Sequence, residues 1–248
     1  MRLNRIAIMG GILVMPGIFG QEVGVRGIAV EAFEGKTVTG SPYTAKAVTT
    51  VTQTLADGNR ITNTTEILIS RDSAGRTRRE QKVGKLGPWE TGEKGVMVTI
   101  TDPVSGVNLV LMPNGQTAMK TLTHSEAGLR EKVAFMAERH EGGMLVHSSE
   151  AKVYKSQPED LGEQIIEGVR AKGQRVKITM PAGQIGNERP LDIVHESWYS
   201  PDLQTVVLSK RSDPRVGDTE YRLTNIQRVE PPASLFTLPA GYTIRPDR

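Results

Sequence analysis

The chain has no cysteine, only two Trp, four Phe and five Tyr in 248 residues, a net charge of just +3, and no apolar run long enough to cross a bilayer. Without cysteine no disulfide can support the fold, no thiolate can serve as nucleophile, and no lipid can be attached at a mature N-terminal Cys. Scarce aromatics remove the stacking platforms of single-strand binders, and 31 Lys+Arg against 28 Asp+Glu leave no pronounced basic stripe, so nucleic acid is not an expected partner. Collagen, coiled-coil, disulfide-stapled and polytopic membrane classes are excluded by the same composition. What remains is 37% apolar and 24% charged residues with 26 Gly and 14 Pro, enough hydrophobicity to fold.

Residues 1–20 read as a secretory signal peptide. Arg2 and Arg5 open it, Ile6 to Phe19 form an apolar stretch, and Gly20 supplies a small residue before Gln21. A membrane-spanning helix needs about 20 apolar residues, and Gly10, Gly11, Pro16 and Gly17 disfavour a buried helix. The expected product is exported, to the periplasm or the medium. A glycine-bearing N-terminal arm over 21–42 and a single β-rich domain over 43–245 follow. A domain of that size buries roughly 70–75% of its unfolded surface, sufficient without disulfides.

From Tyr43 the pattern alternates with period two. Tyr43, Ala45, Ala47 and Val51 oppose Thr44, Lys46, Thr50 and Thr52, and Ile61 to Ser70 resumes the alternation after an Asp57-Gly58-Asn59 turn. Strands with short turns continue through Arg76 to Val83, Val96 to Thr101, Val107 to Met112 and Gln116 to Leu122. Glu163 to Met180 reads as one long strand or a hairpin bent at Gly168 or Gly173, and three further strands lie within 191–229. One segment, 123–141, has helical period: Thr123-x-x-Glu126 has capping-box spacing, and Leu129, Val133 and Met136 follow as a stripe. The expected fold is mainly β, a strongly curved antiparallel half-barrel covered by that one amphipathic helix.

No motif points to catalysis. Gly87 to Gly92 begins like a phosphate loop, but Glu93 stands where the lysine is required. No Gly-x-Ser-x-Gly elbow occurs, and His140, Glu141, His147 and Glu150 match no zinc-enzyme spacing. No catalytic residue, metal ligand or cofactor is expected. Arg71, Arg76, Arg78, Arg79, Lys82 and Lys85 gather around one turn and strand, either as a surface for anionic partners or as an edge strand protected by charge. Met97, Met112, Met119, Met136 and Met144 concentrate in one stretch, suiting an adaptable apolar groove as well as ordinary core filling.

Gln53 to Ile61, Arg71 to Glu80, Pro181 to Pro190 and Glu196 to Leu203 resemble an uncharacterised family of exported bacterial β-rich proteins over roughly residues 40 to 245. Trp198 to Leu203, Tyr221 to Ile226 and Glu230 to Tyr242 are more distantly similar to the periplasmic lipoprotein-carrier superfamily, LolA-, LolB- and RseB-like. That resemblance implies a concave sheet holding acyl chains beneath helices. Ile67, Ile69, Val98, Ile100, Leu109, Leu111 and Met119 are then expected to line the sheet, with Leu129, Val133 and Met136 covering it. The function this implies is non-enzymatic binding of a lipid or lipidated protein. The alternative is an envelope-sensing module with a protein partner and no lipid; oligomeric state is left open.

Overall fold

The computed structural model describes residues 37–83, 85–86, 89–90, 95–122 and 158–245. In chain order the strands are β1 (Tyr43–Thr54), β2 (Arg60–Arg71), β3 (Thr77–Lys82), β4 (Lys85–Leu86), β5 (Trp89–Glu90), β6 (Val96–Asp102), β7 (Val107–Met112) and β8 (Thr117–Leu122). They continue with β9 (Pro158–Ile166), β10 (Val169–Met180), β11 (Leu191–Ser200), β12 (Thr205–Asp213), β13 (Gly217–Gln227) and β14 (Thr243–Arg245). Twelve of them form one sheet, ordered β14-β8-β7-β6-β3-β2-β1-β13-β12-β11-β10-β9, and β4 pairs only with β5. Every pairing is antiparallel except β14 with β8, as short turns between sequence neighbours require. The sheet is open, with β14 and β9 as its edges, and does not close into a barrel.

Turn chemistry sets the hairpins. The β9–β10 connection is the two residues Glu167 and Gly168, both with positive φ, which matches strand twist in a tight hairpin, so the bend falls at Gly168. Gly173 serves a different purpose: a Cβ there would lie 2.5 Å from the Trp198 ring, which packs directly on the bare backbone.

β3 lies between β2 and β6, inside the sheet, so its arginines do not guard an edge. It is also where the buried side changes. The register carries Lys46, Leu68, Glu80, Val98, Leu111 and Ala118 along one face, and Ala45, Ile69, Arg79, Thr99, Val110 and Met119 along the other. In β1 and β2 the buried aliphatic residues are Ala45, Ala47, Ile67 and Ile69, on the second of these faces; in β6 to β8 they are Val98, Ile100, Leu111 and Ala118, on the first. A strand of six polar residues, Thr77 to Lys82, suits that crossing because neither of its faces sits in an apolar layer.

Among the described residues there are two 3-10 turns, Pro113–Gly115 and Ala233–Phe236, and no α-helix. The helix expected over 123–141 lies outside the described residues, as do the signal peptide and most of the N-terminal arm. Among the described residues, the cover over β6 to β8 comes from the C-terminal tail. After β13 the chain crosses the sheet as a strap, residues 228–242, and joins the far edge by pairing β14 with β8. Phe236 of the strap seals a cluster with Val98, Ile100, Leu111 and Ala118, flanked by Leu235, Leu238 and Tyr242. Polar latches hold it: Ser73 donates from its backbone N–H (3.1 Å) to Glu230, Arg78 Nη1 donates to the Leu235 carbonyl at 3.1 Å, and the Arg76 guanidinium lies 5.2 Å from the Phe236 ring centre.

Candidate apolar site beneath the C-terminal strap

The expected lining residues do not share one face. Ile67, Ile69 and Met119 lie on the face away from the strap, whereas Val98, Ile100, Leu109 and Leu111 lie beneath it. Val98, Ile100 and Leu111 are each 1% exposed, closed over by the protein's own tail. Leu129, Val133 and Met136 fall outside the described residues. Strand alternation alone could not reveal the split, because it gives the two faces of each strand but not which face meets which across the sheet.

Between strap and strands an apolar cavity of about 240 Å³ remains, walled by Ile100, Val107, Leu109, Phe236, Leu238 and Ile244, with Lys120, Asp102 and Ser105 also lining it. At ~30 Å³ per water-sized group it accommodates about eight such groups, the end of an acyl chain rather than a whole lipid. Sequence reading missed Phe236, Leu238 and Ile244 because they lie in a proline-bearing tail without periodicity. The only signal there was the cluster of large apolar residues between Leu235 and Tyr242.

A larger depression of about 560 Å³ opens elsewhere on the strap-side face, among Thr50, Thr52, Thr62, Glu196, Lys210, Asp218 and Glu220. It belongs to a row of alternating charge, Glu159, Arg175, Glu196, Lys210 and Glu220, set side by side by the register of β9 to β13. Arg175 bridges Glu159 at 3.0 Å and Glu196 at 2.7 Å. An apolar ligand here would strip water from these charges without replacing it, so the depression is unsuited to one.

The basic cluster is structural for the most part. Arg71 is buried, stacked 4.7 Å from the Tyr43 ring centre, and donates to the Ser41 carbonyl from Nε (3.1 Å) and Nη2 (2.8 Å) and to the Leu203 carbonyl from Nη2. Burial lowers the guanidinium's pKa and raises that of Tyr43. Arg76 pairs with buried Asp72 at 2.6 Å, and Arg78 with Glu80 at 2.8 Å. His195 shares a hydrogen bond with Ser209 Oγ at 2.9 Å. Among the described residues no three His, Asp or Glu side chains converge as a metal ion would require.

No family model matches the sequence, and no curated protein matches it. Among solved structures the chain is similar to an uncharacterized conserved protein from Thermus thermophilus, at 9% identity and TM-score 0.42 over 84% of this chain and 91% of that one. It is also similar to the Pseudomonas aeruginosa MucA/MucB complex, at 14% identity and TM-score 0.39, covering 82% of this chain and 56% of that one. A third likeness is to a LolA superfamily protein from Nitrosomonas europaea, at 9% identity and TM-score 0.32, over 79% and 90% of the two chains. Each of these likenesses is distant, with a TM-score below 0.5.

Proposed function

We propose that the protein is an exported, non-enzymatic binding protein that holds the apolar end of a lipid, or of a lipidated partner, between β6 to β8 and its C-terminal strap. The observation that carries this reading is the apolar cavity beneath the strap, where Ile100 and Leu109 meet Leu238 and Ile244. Burying one aliphatic side chain, or its equivalent in ligand, against these walls is worth about 1.5–3 kcal/mol. The strap is the movable wall, since three-residue parallel pairing and a few polar latches are easier to open than the sheet. Release of residues 1–20 precedes binding in this account.

Filling the cavity tests the proposal. Titration with 1-decanol is expected to shift the methyl NMR signals of Ile100, Leu109 and Leu238 in the natural chain. Leu238→Trp, which occupies the space, is expected to abolish the response while leaving the β-sheet circular dichroism unchanged. An undiminished response in that variant would overturn the reading, and a stable protein partner co-isolated with no lipid would favour the sensing alternative.

A further inference from the structure

We infer that the face of β3 and β6 to β8 turned away from the strap is a second binding site, for a long-chain fatty acid, with Arg79 receiving the carboxylate. This site is independent of the cavity beneath the strap. The register sets Arg79, Thr99, Val110 and Met119 side by side across four neighbouring strands. Met97, opposite Gln81, and Met112, opposite Thr117, flank that row on the same face. Three interstrand spacings separate Arg79 from Met119, about 14 Å, a distance suited to an extended acyl chain.

Charge selects the ligand. Apart from Arg79, this face of the four strands carries only Thr77, Gln81, Met97, Thr99, Thr101 and Asn108 in β3, β6 and the start of β7, and uncharged residues beyond. It therefore bears one positive charge and no carboxylate. The other arginines of the cluster are engaged, Arg71 with two carbonyls, Arg76 with Asp72 and Arg78 with Glu80, whereas Arg79 makes no ion pair among the described residues. It is half-buried. A half-buried guanidinium with no counter-ion among the described residues favours a carboxylate, which it binds through two parallel hydrogen bonds, and the neighbouring Thr99 hydroxyl adds a donor. Met119, 44% exposed, and the partly covered Val110, Met97 and Met112 offer an adaptable apolar track of the kind methionine provides.

Palmitate and hexadecanol, the same chain with and without the carboxylate, separate this site from the cavity. Palmitate is expected to shift the methyl signals of Met97, Met112, Met119 and Val110 and to bind at least tenfold more tightly than hexadecanol at these positions. Arg79→Gln is expected to erase that difference, and Leu238→Trp to leave it intact. Met119→Gln, at an exposed position that does not threaten folding, is expected to weaken palmitate about tenfold and covers the case in which Arg79→Gln does not fold. Equal binding of the two probes, palmitate affinity unchanged in either face variant, or occupation by an acidic amphipathic peptide without palmitate uptake would overturn the inference.

Discussion

Asp213 shows how single residues hold this disulfide-free sheet. Its side chain is 1% exposed and accepts from Arg215 Nε at 2.9 Å and Nη2 at 2.7 Å, which holds the carboxyl at about 2. The folded value lies below the ~3.9 of an unfolded Asp, so the ionised group stabilises the native state above about pH 4, and that contribution is lost as pH falls from there through about 2. Asp213→Asn is expected to lose about 2 kcal/mol at pH 7, with the gap to the natural chain closing between pH 4 and 2 in urea titrations. The residue types in such clamps were legible: Asp72 and Asp213 each precede a turn. Long-range contacts were not, because the Arg71 side chain and the Leu203 carbonyl are brought together only by the folded sheet.

At the scale of elements, alternation and turn residues were enough to place most of the meander, since Gly58, Gly75, Gly106 and Gly168 take the positive φ that their turns demand. The phase between strands was not legible. Each strand's two faces follow from period two, but β3 is polar throughout and passes no apolar stripe from β2 to β6, so only pairing shows that the buried side crosses there. The strap was equally hidden, because its apolar residues follow neither period. Phe236, 4% exposed, is its anchor. Phe236→Ala is expected to cost about 3–5 kcal/mol and to raise hydrogen exchange in β14 and β8 more than in β1 and β13. Uniform loss of protection across the sheet would instead make Phe236 part of a single cooperative core.

For the whole molecule, one open sheet serves two layers of packing. Around β1, β2 and β13 the buried residues include Ala45, Ala47, Ile67, Ile69 and Leu223; around β6 to β8 the opposite face is closed by the tail of the same chain. A strap that must cross from β13 to the β8 edge leaves a cavity where its side chains do not fill the space above Ile100 and Leu109, and the account's central claim is that an apolar ligand end occupies it. Native mass spectrometry of the chain recovered from the cell envelope or medium, compared with Leu238→Trp prepared in the same way, tests that claim most directly. The account predicts a mature chain beginning at Gln21 that carries a bound lipid species absent from Leu238→Trp. A natural chain with no bound species, or the same species at the same occupancy in the variant, would contradict it.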